Sequence, residues 1–152
     1  MTSSPDLAPF AALVPLDHGL CVVTTLRADG SAASSVVNAG VMDHPLTGAP
    51  VVAFVSAGRA RRLAHLRADP RITVTIRAGW QWAAVDGHAE VVGPDDAHAG
   101  VDPEALRLML RVIFVAAGGT HDDWDTYDQV MRDERRAAVF IDPRRVYSNP
   151  AG

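Results

Sequence analysis

HGLCVVTTLRADGSAASSVVNAGVM, residues 18–42, contains a complete β-hairpin in local code. Residues 18–27 are apolar and β-branched, which predicts a strand. Ala28-Asp29-Gly30-Ser31 supplies the positive φ of a tight turn, and residues 32–42 form the returning strand. The same pattern recurs downstream. Residues 44–50 form a Pro- and Gly-containing loop, and 51–56 a buried strand. Residues 71–77 alternate β-branched side chains, Ala78-Gly79 turns the chain, and 80–92 form a long strand with a bulge expected at Asp86-Gly87. Residues 137–142 form a last strand, followed by a short extended tail at 144–147.

Four helical segments interrupt this series. Residues 5–14 predict a short helix that buries Phe10, Leu13 and Val14. Residues 59–67 place Leu63 and Leu66 at i and i+3 and stop at Asp69-Pro70. Asp102 caps a helix with Pro103 at its first position, ended by Gly118-Gly119. Thr120 opens a second helix, with Asp123 three residues on, that runs to about Arg136. Six hairpin-linked strands with few helices predict a mainly β protein, an antiparallel barrel with accessory helices rather than a doubly wound sheet. The 103–117 helix is apolar nearly all round, so either a partner subunit covers it, the favoured expectation, or it lies deep in the monomer.

The composition limits the function classes. A chain of 152 residues with no repeats and no linker reads as one domain, 1–152, long enough for a real core. It contains no run of about 18 apolar residues, so no membrane span is expected. Residues 1–10 lack the basic start of a secretory signal, and a cytoplasmic location is the default expectation. The single cysteine, Cys21, excludes a disulfide framework. The six histidines share no metal-ligand spacing, so no metal is expected. His121-Asp122-Asp123-Trp124-Asp125 is read as a capped helix start.

All 14 basic residues are arginine, and their placement is uneven. Residues 57–77 hold six Arg and one acid, net +5, while 95–134 hold ten acids and three Arg, net −7. With a total charge of −4, nucleic-acid binding is not expected; a local basic cluster on an acidic body suits a small anion.

Three stretches could carry chemistry. In Ser56-Ala57-Gly58-Arg59-Ala60-Arg61-Arg62 a strand gives way to a helix, and three Arg gather where a helix is already positive. A bound phosphate would satisfy the free N–H groups and the guanidinium forks together; otherwise these Arg point to solvent and pair with the acidic helices. In Gly79-Trp80-Gln81-Trp82 two indoles two apart share one strand face, as core and interface or as the wall of an aromatic ligand site. Ser34, Ser35 and Asn38 interrupt an apolar strand, either letting a flat ligand approach the backbone or marking an ordinary half-exposed strand. No Ser-His-Asp, Cys-His, dinucleotide or P-loop pattern occurs, and no catalytic residue is named.

The order of these parts resembles the pyridoxamine 5′-phosphate oxidase-like split β-barrel family, and more narrowly its branch that uses the deazaflavin coenzyme F420. The residues that carry the resemblance are Thr25-Leu-Arg-Ala-Asp-Gly30, Gly58-Arg-Ala-Arg-Arg-Leu63 through Asp69-Pro70, Gly79-Trp80 with Gly87-His-Ala-Glu90, His121-Asp-Asp-Trp124 with Tyr127, and 136–147 ending in Val146-Tyr147. The resemblance implies a six-stranded, Greek-key-like split barrel and a homodimer with two cofactor sites at the subunit interface. It implies that Arg59 and Arg61, with Ser56 near, hold the cofactor phosphate; relatives often carry Lys where this chain has Arg61. Trp80, Gln81 and Trp82 would lie near the ring system, and Ser34, Ser35 and Asn38 would edge it. Arg62 and Arg67 would suit the long acidic tail of F420, and Arg27 would help if its hairpin folds near.

The function expected on this basis is an oxidoreductase that moves a hydride between reduced F420 and a small organic acceptor, the cofactor carrying the redox chemistry. The alternatives are an FMN-binding flavoprotein using the same phosphate site, or a non-catalytic carrier of F420 or a flavin.

Overall fold

The computed structural model describes residues 5–150. The ends of the predicted 1–152 unit, residues 1–4 and 151–152, lie outside the described residues, as does the start of the segment read for a secretory signal. Six antiparallel strands close into a barrel in the order β1-β2-β3-β6-β5-β4, with β4 returning to β1. They are β1 Leu20–Leu26, β2 Ala32–Asp43, β3 Pro50–Ser56, β4 Arg71–Ala78, β5 Gln81–Val92 and β6 Ala137–Ser148. The helices are α1 Ala8–Ala11, α2 Arg61–Ala68, α3 Pro103–Ala116 and α4 Trp124–Asp133. The mainly β, six-stranded barrel is therefore the fold that the hairpin pattern predicts.

Strand β2 changes partners halfway. Ala32–Asn38 pair with β1, whereas Ala39–Asp43 pair with β3. Between the first half of β2 and the end of β3 the barrel wall is split, and this split positions the site described below. The barrel interior is filled by alternate side chains such as Val23, Phe54, Val74, Val85 and Val139. Phe10 plugs it from the N-terminal segment and is fully buried, a contribution of roughly 1.5–3 kcal/mol. A second core forms outside the barrel, where α3 and α4 cover β3 and β6 with Met109, Leu110, Ile113, Tyr127 and Phe140.

Several local expectations shift. The N-terminal helix is one turn, followed by a 3-10 turn at Val14–Leu16, because Pro15 denies a continuing helix its N–H. Phe10, Leu13 and Val14 are buried all the same. The second acidic helix starts at Trp124 rather than Thr120, since the Asp123 carboxylate caps it by accepting from Thr126 N–H. The expected tail at 144–147 is part of β6. Pro143, which cannot donate to a ladder, sits opposite Gly87 at the β5 bulge, where no donor is required.

Helix α3 is not buried all round within the single chain. Met109, Leu110 and Ile113 face the barrel, while Leu108, Val112 and Val115 are about half exposed at 48%, 51% and 55%. Its C-terminal turn rests directly on β2 at Gly40, where any Cβ would overlap the Ala116 carbonyl.

Candidate functional site

The site grows from the end of β3. Ser56 is buried, and Ala57–Ala60 turn the chain into α2, with Ala60 N–H donating to Ala57 O at 3.1 Å. Helix α2 starts at Arg61, so Arg59 lies in the preceding turn and only Arg61 and Arg62 in the first helical turn. No side chain caps this end. Leu63 N–H donates to Ala60 O at 3.1 Å, which leaves the Arg61 and Arg62 N–H groups open, with the positive end of the helix dipole behind them.

The C-terminal turn of α4 docks on the same place. Gly58 N–H donates to Glu134 O at 3.0 Å, and a Cβ on Gly58 would overlap the Arg135 carbonyl. Arg135 takes φ +48 and reverses the chain, with Arg136 N–H donating back to Met131 O at 2.9 Å. This reversal sets Arg136 beside Arg62.

Arg62 bridges the split. Its Nε donates to Ser35 Oγ at 3.1 Å and its Nη1 to Ser56 Oγ at 3.0 Å. Burial, and secondarily the positive charge of Arg136, hold the Arg62 pKa below its ordinary value. Arg136 binds Glu134 through Nη2 at 3.0 Å, and its Nε is buried with no hydrogen-bond partner. Among the described residues no carboxylate pairs with Arg59, Arg61 or Arg62. Of the other reading, Arg59 and Arg61 do point to solvent, but no pairing of these three with the acidic helices is found among the described residues. Two neighbouring guanidiniums, two further exposed ones and an uncapped helix end form a site short of negative charge.

Other arginines are committed elsewhere. Arg67, expected to serve an acidic tail, is held bidentately by Asp96 at 2.8 and 2.7 Å. Arg71 pairs with Asp69, whose pKa it lowers to about 2 by side-chain hydrogen bonding. Arg27 is folded onto its own hairpin, donating to Ala32 O at 2.6 Å.

The serine–asparagine strand divides between two faces. Ser35 points into the split. Ser34 and Asn38 are on the outer face: Ser34 Oγ shares a 3.0 Å hydrogen bond with Thr24 Oγ1, and Asn38 Nδ2 donates to His18 O at 2.7 Å. Asn38 also lines a cavity of about 340 Å³ with Val55, Phe114, His121, Tyr127 and Arg136. Sequence reasoning missed His121 and Arg136. In sequence His121 reads as part of a helix cap, and Arg136 as the end of the second acidic helix. Nothing local signals that the α3–α4 corner carries the first, and the α4–β6 corner the second, to the mouth of the split.

Phe114, His121 and Tyr127 of this cavity pack with Trp124 in tilted and edge-to-face pairs, with ring centroids 5.1–6.1 Å apart. His121 Nδ1 accepts from Asp123 N–H at 3.0 Å, so in the neutral ring Nε2 carries the proton. Tyr127 donates to Leu110 O at 2.8 Å, and burial pushes its phenol up to about 12.

The two tryptophans do not share a strand face. Trp80 lies in the β4–β5 turn and is 94% exposed; β5 begins at Gln81. Trp82 stands edge-on to Tyr147 at 6.1 Å, and Gln81 Nε2 donates to Asn149 O at 3.4 Å. The eight residues of β4 separate this turn from the α2 end of the barrel by roughly 25 Å. Within one chain, Trp80, Gln81 and Trp82 therefore do not join Arg59, Arg61 and Arg62.

The outer face of the sheet around Trp82 is apolar. Val36, Val22, Thr75, Ala84 and Tyr147 stand in one register row across five strands. Leu20, Val22, Val36, Trp80 and Tyr147 on this face are all exposed, from 40% to 94%. Among the described residues no three His, Cys, Asp or Glu side chains gather as metal ligands, and no helix is long and apolar enough to cross a membrane.

Comparison with known proteins agrees with this architecture. The family model for pyridoxamine 5′-phosphate oxidase matches residues 9–149. Among solved structures, the chain is similar to a conserved hypothetical protein of Mycobacterium tuberculosis, at 21% identity and TM-score 0.65, covering 97% of this chain and 89% of that one. It is similar to a protein described as an F420 reductase, at 16% identity and TM-score 0.60, covering 94% and 98%. It is also similar to a pyridoxamine 5′-phosphate oxidase-related, FMN-binding protein of Nostoc punctiforme, at 12% identity and TM-score 0.65, covering 97% and 86%. At these identities the likeness is one of fold.

Proposed function

The chain belongs to the pyridoxamine 5′-phosphate oxidase family, and from that premise we propose that it is an oxidoreductase that binds coenzyme F420 at the β2–β3 split and passes a hydride between the reduced cofactor and a small organic acceptor. The observation that carries the reading is the position of Arg62 in the split, fixed by Ser35 and Ser56 with no carboxylate partner of its own and set against Arg136, which has Glu134 alone as counter-ion. The orphaned Nε of Arg136 and the uncapped α2 end make the same demand for an anion. A phosphate fits that donor set.

Arg62 and the open N–H groups of α2 would hold the phosphate, and Arg136 would complete its neutralisation. Arg59 and Arg61 have no carboxylate partner and exceed what one phosphate requires. This surplus favours an acidic-tailed deazaflavin over FMN, now without Arg67. When bound, the cofactor supplies hydride transfer. The protein's part is to hold its charge, present the small edge of Ser35 to the ring, and exclude water from the reacting face.

The proposed active species is a homodimer. Support comes from the apolar outer face of β1, β2, β4 and β5 and from the half-exposed Leu108, Val112 and Val115 of α3. In such a dimer the partner's Trp80–Trp82 turn, which one chain alone keeps away from the split, is proposed to complete the site.

The test is titration of the apo protein with F420 and FMN side by side, followed by fluorescence. F420 should bind more tightly, and Arg59→Ala with Arg61→Ala should weaken it severely while leaving the fold intact. Tighter FMN binding would move the assignment to a flavoprotein, and binding of neither would overturn it. Binding of reduced F420 without oxidation by any of a panel of acceptors would leave a carrier.

A further inference from the structure

We infer that Asp95 and Asp96 are positioning residues of the anion site: the turn that carries them straps α2 to the end of α4 and so keeps Arg136 beside Arg62. The inference rests on the cofactor reading above and adds the residues that hold its two cations in place.

These two cations oppose their own placement. The positive charge of Arg136 acts on Arg62, and like charges on two elements push the elements apart. One direct tie resists this, the 3.0 Å hydrogen bond from Gly58 N–H to Glu134 O. A single tie leaves a pivot. A second one, at another point, fixes the angle between the elements.

The Gly93–Asp96 turn supplies the second tie. Gly93 N–H donates to Asp96 O at 3.1 Å and Asp96 N–H to Gly93 O at 3.0 Å, and Pro94 stands where its ring presets the turn. The two adjacent carboxylates of this closed turn take different arginines. Asp96 holds Arg67, in the last turn of α2, through Nε at 2.8 Å and Nη2 at 2.7 Å. Asp95 holds Arg135, just past the end of α4, through Nε at 3.1 Å and through Nη2. Both pairs are bidentate, a geometry that fixes direction as well as distance.

Arg135 occupies a position that normally belongs to glycine. Arg135 N–H donates to Arg132 O at 3.1 Å and Arg136 N–H to Met131 O at 2.9 Å, the paired hydrogen bonds of a helix-ending reversal. The residue at its left-handed position has φ +48, where a Cβ is unfavourable and glycine is free of strain. With arginine there, the guanidinium anchors the reversal to Asp95, and the next residue in the chain is Arg136.

The test is a pair of variants whose effects by charge alone run opposite to those of the strap. Asp95→Asn removes a negative charge, which alone would tighten F420 binding. Loss of the strap should instead weaken it about 2- to 5-fold. Adding Arg135→Gly removes a positive charge, which alone would weaken binding further. Glycine takes the left-handed conformation without strain, so the double variant should recover to within about twofold of the native protein. Unchanged or tighter F420 binding by Asp95→Asn overturns the inference, as does a double variant that fails to recover.

Hydrogen exchange at the Gly58 amide, followed by NMR without cofactor, separates this inference from the cofactor reading. It should be about 2- to 5-fold faster in Asp95→Asn and native-like in the double variant. If the native protein binds neither F420 nor FMN, the cofactor reading falls and exchange alone decides the strap: faster exchange supports it and native exchange overturns it. Faster exchange with unchanged F420 affinity makes the turn a structural tie only, which overturns the positioning role and leaves cofactor binding standing.

Discussion

Replacing Arg62 by methionine separates what this side chain does for the fold from what it does for an anion. In the protein alone it makes two hydrogen bonds to serine hydroxyls, at 3.1 and 3.0 Å. Each is worth roughly 1 kcal/mol. Against this stand partial desolvation of the guanidinium and repulsion by Arg136, the two causes that lower its pKa. Met keeps much of the stem volume and removes the repulsion, so the apo protein should lose about 1 kcal/mol or less. With a phosphate in the split the balance reverses. Arg62 would then supply one or two charge-assisted hydrogen bonds, and their loss costs about 2–4 kcal/mol. That is a roughly 30- to 1000-fold weaker complex. Urea unfolding of the apo protein measures the first quantity and fluorescence titration with F420 the second. A dissociation constant within about threefold of the native value refutes the phosphate assignment, since no partly buried guanidinium at a phosphate is worth so little.

Gly58→Ala forces a methyl group against the Arg135 carbonyl and to 2.9 Å from Arg135 Cβ, on a turn fixed by its own hydrogen bonds. It should cost about 1–3 kcal/mol and weaken F420 binding as Arg62 and Arg136 separate; an unchanged melting temperature contradicts the docking described. Val22→Glu with Val36→Glu buries charge at the proposed dimer face, on residues that are direct cross-strand partners. Light scattering should give a dimer for the native protein and a monomer for the variant, and a native mass of one chain overturns the interface. Asp128, clamped by Arg111 at 3.0 and 2.5 Å and by Arg107 at 3.0 Å, has its carboxyl held below the ordinary value, chiefly by the Arg111 hydrogen bonds. The fold thus favours its ionised form. Its contribution is complete above the ordinary carboxylate range and is lost as pH falls through the lower folded value. Asp128→Asn should melt lower at neutral pH and lose stability less steeply on acidification; parallel pH profiles would show that the clamp contributes nothing.

Much of the site's composition was legible before folding, but little of its assembly. Ser56, Arg59, Arg61 and Arg62 are contiguous in sequence, and a strand-to-helix junction rich in Arg is a local signal. Even there the helix start moved by two residues, because Ala60 rather than an earlier residue takes the cap conformation. Ser34, Ser35 and Asn38 could be singled out as small polar breaks, but not sorted between the split and the outer face. That sorting depends on where β2 leaves β1 for β3. Trp80 and Trp82 were grouped by their spacing, yet the turn that holds Trp80 ends one residue later than the alternation suggests.

The sequence by itself determined the strands, the hairpins, the antiparallel barrel and the existence of a basic junction. Each of these is written in neighbouring residues, through period-two burial, turn residues and helix stops. Tertiary structure decided which arginines remain without a counter-ion, that Arg136 stands beside Arg62, and that His121 faces the mouth of the split. Charges and hydrogen bonds act through space, and the residues concerned lie 27 to 101 positions apart along the chain (Ser35 to Arg62, Ser35 to Arg136). Only the docking of the α4 turn on Gly58 and the partner change in β2 bring them together.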